Sequence, residues 1–487
     1  MILSGLSPAK NYLLRGLFIL LLLTEACNSG LQKKKAENPK TILSSERNFQ
    51  AGKFYPKVVC AKQPFFSYAL YLPKKYNPDN HLPVVFFFDA HARGWLPVKK
   101  YHQIADSLGY MLVASNNSKN GQTSTKRNEI IYAFMADVEQ RFSINSSRIY
   151  TGGFSGGARI AAGIALFNKG IAGVIGCAAG YPQISTSVMT NFPYVGIVGN
   201  KDFNFLEMIS LERKMKLSHQ PHQLLVYDGK HDWPPATVMK QAFLFLETEA
   251  MRRRLAPKNR FIIKQIRAKL EHEHNAVNPT TNPLAQFNAD KKLVSYLNGL
   301  VPVKTYQNEM EKLSRLPSFQ REKAKLENLY RLESKSQQML AGALRTKGTP
   351  WWKKEITQLY NNEKMAKNNE AKLMNRRLLN YLSLMSYLYA DANLKQGNPR
   401  GSAKFLIIYG KVDPTNPEVY FLQAKQKAML GAPEKDILNL MQKAVQLGFN
   451  APGRIKGLGK AAALPNSTGF QKILKQATKN FQKSQHF

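Results

Sequence analysis

Residues 148–157 read RIYTGGFSGG, and the alanine-rich segment ARIAAGIALF follows at 158–167. The first six residues form an apolar run of strand length. The last ten suit a helix. Between them Gly153, Ser155 and Gly157 spell G-x-S-x-G. A serine at a strand-to-helix bend sits on a tight, strained turn, and a side chain two positions to either side would collide with that turn. The spacing therefore predicts strand, bend and helix in immediate succession, with Ser155 lifted out at the carboxyl end of a strand.

The same alternation extends outward in both directions. Strand-length apolar runs occur at 82–89, 110–115, 148–153, 172–177, 194–199 and 222–227, and helix-length segments at 129–142, 158–167 and 203–217. Continuously apolar strands separated by helices imply a parallel sheet covered on both faces, an α/β doubly wound class. Ligands in such sheets lie beyond the carboxyl ends of the strands. Asp202 follows the run 194–199, and His231 follows the run 222–227. Serine, aspartate and histidine thus occur in chain order, each just past a different strand. A hydroxyl nucleophile needs a neighbouring base, and the base needs an acid to orient it and to stabilise its cation.

This constellation resembles the α/β-hydrolase family, in particular bacterial esterases related to feruloyl esterases, polyhydroxybutyrate depolymerases and dienelactone hydrolases. SYALYLP at 67–73 is similar to their opening strand, and His231 followed by Trp233-Pro234 agrees with them. The resemblance covers residues 58–250. It implies Ser155 as nucleophile, His231 as general base and Asp202 as its acid, with an acyl-enzyme intermediate and neither cofactor nor metal. It also implies an oxyanion hole built from the backbone N–H of Gly156 and that of Ala92 in the loop DAHARG, 89–94, where relatives often carry His-Gly and this chain has His91-Ala92. Asp89 and His91 then shape that loop. Residues 178–193 leave no room for a helical cap, so an open site for an ester or polymeric substrate is expected. Trp95, Tyr181, Phe203 and Trp233 are candidate aromatic walls, or else ordinary packing. A carboxylic-ester hydrolase is the leading reading. A serine peptidase of the same fold, or an inactive lipid-anchored binding or scaffold protein, are the alternatives.

Beyond residue 250 the pattern becomes helical, with a linker and helices at 251–300 and an all-α domain at 301–487. A shift of 34 residues aligns Tyr387 with Phe421, Leu388 with Leu422, Ala390 with Ala424, Gly397 with Gly431, Pro399 with Pro433 and Leu406 with Leu440. That period with helix–turn–helix content resembles a tetratricopeptide array, completed by helices in 303–346, 351–380, 434–448 and 466–480. Such arrays present a surface to a peptide or protein partner, or here pack as a structural domain. His272-Glu273-His274 reads as a solvated helix end, because helix neighbours two apart point in different directions.

The whole chain has 487 residues, enough for about three domains, and a net charge of +38. Residues 251–487 hold 42 basic and 16 acidic side chains, against 28 and 16 in residues 1–250. Charge alone would suggest nucleic acid. The N-terminus argues against that partner. Lys10 and Arg15 precede an apolar run, 17–23, too short for a membrane span, and Cys27 follows LLTEA. Residues 1–26 resemble a bacterial lipoprotein signal, which implies lipidation of Cys27, a flexible tether over 27–57 and a protein exported and anchored in the cell envelope. The basic excess then faces lipid headgroups or acidic polymers. With only three cysteines, Cys60 and Cys177 are expected as buried free thiols.

Overall fold

The computed structural model describes residues 49–182, 191–465 and 467–485. The expected signal, Cys27 and most of the tether lie outside the described residues. The strands follow the order β1-β2-β4-β3-β5-β6-β7-β8. The chain divides into two compact units, one reaching Val174 and including 181–192, the other holding 175–180 and 193–487.

The first unit contains β1 (Phe54–Val59), β2 (Ser67–Tyr71), β3 (Leu82–Asp89), α1 (Trp95–Leu108), β4 (Met111–Ser115), α2 (Ser124–Arg141), β5 (Ile144–Phe154) and α3 (Gly156–Phe167), with the division falling inside β6 (Ile171–Cys177). β1 begins inside the segment read as a tether, since Phe54 and Tyr55 pair with Tyr71 and Leu70 of β2. β1 and β2 run antiparallel to their neighbours, while β3 lies parallel to both β4 and β5. Phe86, Phe87 and Phe88 are all fully buried. Successive side chains point to opposite faces of a strand, so β3 is covered on both sides, as its unbroken apolar run implied. Each such ring contributes about 1.5–3 kcal/mol by leaving water.

α1 was not foreseen, because Pro97 and two lysines obscure its apolar face. Pro97, Val98, Tyr101, Ile104 and Ala105 nonetheless form one buried stripe at helical spacing. Proline is tolerated there because the first turn has no internal partner for its missing N–H. Gly109, at φ 74°, closes the helix by donating its N–H to Ala105 O.

The second unit continues with β7 (Tyr194–Gly199), α4 (Phe205–Leu217), β8 (His222–Tyr227) and α5 (Ala236–Arg252). β7 and β8 are parallel. Then come helices only: α6 (Arg260–Asn275), α7 (Pro283–Leu297), α8 (Lys304–Ser314), α9 (Pro317–Thr346), α10 (Thr349–Lys364), α11 (Asn369–Lys395), α12 (Pro399–Val412), α13 (Pro417–Met429), α14 (Glu434–Gln446), α15 (Pro452–Ala461) and α16 (Thr468–Gln485). Among the described residues no helix is long and apolar enough to cross a membrane. The class is α/β followed by an all-α region.

The 34-residue spacing corresponds to two helix hairpins, α11–α12 and α13–α14. Ala390 and Ala424 are both fully buried, where a small side chain lets paired helices approach. Gly397 and Gly431 both close their helices at positive φ, 75° and 69°. The aligned leucines differ: Leu422 is buried, but Leu388 is 37% exposed. α15 was missed, because its three residues Gly453, Gly457 and Gly459 weaken the helical pattern.

A buried ion pair ties α11 to α9. Arg377 and Glu333 are 1% and 0% exposed, and two guanidinium nitrogens donate to the two carboxylate oxygens at 2.8 and 2.7 Å. The remaining nitrogen, Nη1, donates to the backbone oxygen of Asn200 at 2.9 Å, just past β7. Burial pushes the Glu333 carboxyl up from its ordinary range, against the lowering effect of Arg377. Glu333→Ala strands the guanidinium and is expected to destabilise the protein by about 3–5 kcal/mol, whereas pairing Glu333→Leu with Arg377→Met recovers most of the loss. Chemical denaturation of the two variants beside the parent checks both.

Candidate active site

Ser155 directly follows β5 and caps α3, with φ 55° and ψ −121°. Such a conformation costs a non-glycine residue about 1–3 kcal/mol and persists only where the surroundings enforce it. The surroundings do so by contact. A Cβ on Gly157 would lie 2.0 Å from the Phe88 carbonyl oxygen, and one on Gly153 would lie 2.2 Å from the Gly157 oxygen. β3, β5 and the start of α3 are therefore pressed backbone to backbone. The Ser155 side chain makes no capping bond to its own helix. The first N–H groups of α3, beginning with Gly156, point out of the helix N-terminus, where the dipole favours negative charge. Gly156 faces Asn120, whose Oδ1 would sit 1.8 Å from an added Cβ.

The loop after β3 belongs to the same unit. Asp89, 1% exposed, accepts from the backbone N–H groups of His91 and Arg93 at 2.8 and 3.2 Å. The Arg93 guanidinium adds two further bonds to it, at 3.0 and 2.9 Å. A single carboxylate thus folds the loop, in the shaping role expected of it. Within that turn Ala92 has φ 60°. This is the left-handed region that glycine enters without cost and alanine does not. The Ala92 N–H makes a long turn bond to Asp89 O, 3.3 Å. Asn120 N–H holds the next layer by donating to Ala90 O at 2.9 Å.

Asp202 and His231 meet in the second unit. Asp202 is fully buried, and His231 Nδ1 stands 2.9 Å from each of its carboxylate oxygens. A carboxylate accepts only, so the contact places the ring proton on Nδ1 and the acceptor lone pair on Nε2. Asp202 Oδ1 also accepts from Asn204 N–H at 2.8 Å. The Phe203 ring stacks on the imidazole, with centroids 4.1 Å apart and planes 29° apart. Two hydrogen bonds and one stacked ring fix the histidine in position and orientation.

The loops bearing these residues are knitted together. Lys201 N–H donates to Gly229 O at 2.9 Å, Gly229 N–H donates to Asn200 Oδ1 at 3.2 Å, and Lys201 Nζ pairs with Asp228 at 2.6 Å. From α11, Asn380 Nδ2 donates to Lys201 O at 2.6 Å, beside the Arg377 bond to Asn200. The Arg377 guanidinium also lies 4.2 Å over the Phe205 ring. A cleft of about 350 Å³ borders the same loop, lined by Lys201, Asp228, Glu363, Lys372 and Arg376 among others.

The candidate aromatic walls separate. Trp233 is 2% exposed and belongs to the core, not to a wall. Phe203 supports His231. Trp95 and Tyr181 are half-buried, and Tyr181 O accepts from Arg159 at 3.0 Å. Residues 178–182 and 191–193 carry no helix, and 183–190 lie outside the described residues. Cys60 and Cys177 are buried free thiols, and burial, reinforced by Asp137, pushes the Cys60 thiol up to about 11. His274 is not the solvated helix end expected. Its side chain is 17% exposed and meets Asp290 at 2.9 Å. The supporting residues Asn120, Arg377 and Asn380 were missed, since only tertiary structure brings them to these loops.

No protein-family model matches the chain, and no curated protein does. Solved structures do. An S-formylglutathione hydrolase from Staphylococcus aureus is 12% identical, covering 40% of this chain and 98% of its own, with a TM-score of 0.33. A ferulic acid esterase is 17% identical over 42% of this chain and 99% of its own, at 0.34. Esterase B from Lactobacillus rhamnosis is 12% identical over 43% and 90%, at 0.35.

Backbone strain at the loop after β3 is open to direct measurement. Ala92→Gly relieves a left-handed penalty of about 1–2 kcal/mol, partly offset by glycine's greater unfolded-state freedom. A net gain of about 0.5–1 kcal/mol in unfolding free energy is expected. Gly157→Ala should act oppositely, because its new methyl meets backbone rather than a movable side chain.

Proposed function

We propose that the chain is an exported serine hydrolase acting on carboxylic esters through Ser155, His231 and Asp202. The observation that carries this reading is the backbone of Ser155, a non-glycine residue held at φ 55° at the head of a helix. A nucleophile presented at a helix N-terminus accounts for a serine in that strained position.

In the proposed reaction His231 Nε2 takes the Ser155 proton as Oγ attacks the ester carbonyl carbon. The developing imidazolium is stabilised by Asp202 through Nδ1–H. The tetrahedral oxyanion rests on the N–H groups of Gly156 and Ala92, each such donor being worth about 3 kcal/mol in the transition state. For Ala92 this means giving up its long turn bond to Asp89. Collapse breaks the bond to the alcohol, which leaves with the proton from His231. Water, deprotonated by the same histidine, then cleaves the acyl-enzyme and restores Ser155.

The proposal also keeps residues 1–26 as an export signal, Cys27 as a lipidated anchor and the cell envelope as the location, on the sequence pattern described above. It assigns the helices beyond residue 300 to a tetratricopeptide-like array offering a surface to a peptide or protein partner, supported by the matched turns at Gly397 and Gly431.

The test is hydrolysis of short-chain nitrophenyl esters by the full-length chain, with labelling by a fluorophosphonate. Ser155→Ala should lose both turnover and label. Asp202→Asn should keep the fold and lower kcat by about 10⁴, because it reverses the tautomer of His231. Full activity in Ser155→Ala, or failure of the parent to label, overturns the reading.

A further inference from the structure

We propose that His274, Asp290 and Glu309 form a site for a divalent transition-metal ion, zinc in the first instance, that staples α6, α7 and α8 together. The three side chains come from three successive helices. One ligand atom from each lies within 4.8 Å of the others. His274 Nε2 stands 2.9 Å from Asp290 Oδ1 and 3.5 Å from Glu309 Oε2. Two ligands at about 2.1 Å from one zinc ion lie about 3.0 Å apart at a right angle and about 3.4 Å apart at a tetrahedral angle. The two separations from His274 are those of ligands sharing an ion, and the third ligand atom lies within 4.8 Å of both.

A second observation points the same way. Asp290 is fully buried, yet neither of its carboxylate oxygens has a hydrogen-bond partner. The 2.9 Å approach of His274 Nε2 is close, but it is not aligned as a hydrogen bond, and Nε2 is itself without a hydrogen-bond partner. A buried carboxylate is ordinarily paired, hydrogen-bonded or bound to metal. One turn earlier on α7, Gln286 is 1% exposed with its Oε1 unpartnered. The His274 and Gln286 side chains lie close enough to Asp290 to favour its charged form, yet neither is aligned on its oxygens as a hydrogen bond, which leaves room for a cation to organise the three.

The charge balance supports a cation. Among the described residues His274 is the one ion-pair partner of either Asp290 or Glu309. The nearby bases are engaged elsewhere: Arg267 with Glu271 at 2.8 Å and Lys292 with Glu273 at 2.7 Å. Tyr306 donates to Glu271 at 2.8 Å and sets its ring edge-on to His274. Two carboxylates facing one imidazole leave net negative charge in a half-enclosed site. His274 is also prepared as a ligand. Its Nδ1 lies 3.0 Å from Asn275 Oδ1, an acceptor that holds the ring proton on Nδ1 and leaves Nε2 to bind metal. An imidazole with two carboxylates and no thiolate suits zinc, whereas calcium and magnesium favour oxygen alone. Glu309 is 33% exposed, so water can complete the coordination.

The experiment uses the full-length chain, stripped with chelator and titrated with zinc chloride against a competing chromophoric chelator. One tight equivalent is expected, with a rise in melting temperature. Asp290→Asn keeps the shape and removes the burden of a buried charge. Metal-free, it should be at least as stable as the metal-free parent, yet bind zinc more than about 100-fold more weakly and gain no stability from it. His274→Gln should lose binding likewise, and circular dichroism confirms that both variants are folded. Three outcomes overturn the proposal: no stoichiometric zinc in the parent, zinc binding unchanged in both variants, or an Asp290→Asn protein less stable than the metal-free parent. The last would mark a plain histidine–aspartate ion pair.

Discussion

Arg377 is a full positive charge with almost no access to water, and its burial is tolerable only because each part of the guanidinium has a partner. Glu333 takes one edge, the Asn200 carbonyl takes the remaining nitrogen, and the Phe205 ring takes the face. Asn200 lies on the segment between β7 and α4 that also carries Asp202, and Phe205 opens α4 directly after it. The helical region therefore does more than follow the α/β elements in sequence. Through Arg377 and Asn380 it fixes the two backbone carbonyls immediately before the acid. Charge-assisted bonds in a dry environment are stiffer than a loop's own turn contacts. Asp202, which meets His231 with both oxygens, follows directly on these two anchored carbonyls.

The serine side relies on a different device. Ser155 and Ala92 are both non-glycine residues at positive φ, and both stand next to the carboxyl end of β3. Neither is stabilised by a charge in its own backbone. They are enforced by sterics at Gly153 and Gly157 and by Asp89 gathering its loop. Strain of this kind is stored where a rigid sheet over-determines a turn. The two halves of the proposed chemistry thus draw on separate resources: packed backbone for the nucleophile, and buried polar pairing for the acid and base.

The difference explains how far the sequence could be read. Backbone sterics write themselves locally, as glycines at fixed offsets from Ser155 and as unbroken apolar runs. Three strands, 82–89, 194–199 and 222–227, coincide with the observed β3, β7 and β8. α1 failed because its amphipathic stripe is interrupted by polar residues that a helix simply turns outward. Arg377 was illegible for another reason. It lies 177 residues from Asn200 and 44 from Glu333, and one arginine among seventy basic residues has no local mark of burial. Trp233 was legible as large and apolar, but a sequence does not distinguish a wall from a core. His274 was misjudged because its partners lie on other helices, out of reach of any spacing rule.

Composition misleads here in an instructive way. The surplus of +38 suggests a protein governed by its charge, yet several of the enclosed ion pairs use arginine in forked contacts. Asp89 with Arg93, Glu333 with Arg377, Glu363 with Arg376 and Glu418 with Arg454 all show the fork. The planar guanidinium offers parallel donors and sheds water more readily than an ammonium, so it suits enclosed sites. Lysines pair both ways: Lys74 and Lys395 are 76% and 69% exposed, whereas Lys292 is 22% exposed beside Glu273. The exposed charges therefore belong to the surface field, and the enclosed pairs, with Arg377–Glu333 the most enclosed, belong to the fold. Salt separates the two, because exposed charges are screened beyond about 10 Å at 0.1 M ionic strength while enclosed pairs are screened far less. Whatever the basic surface attracts should release on raising salt, and the loop that holds Asp202 should not notice.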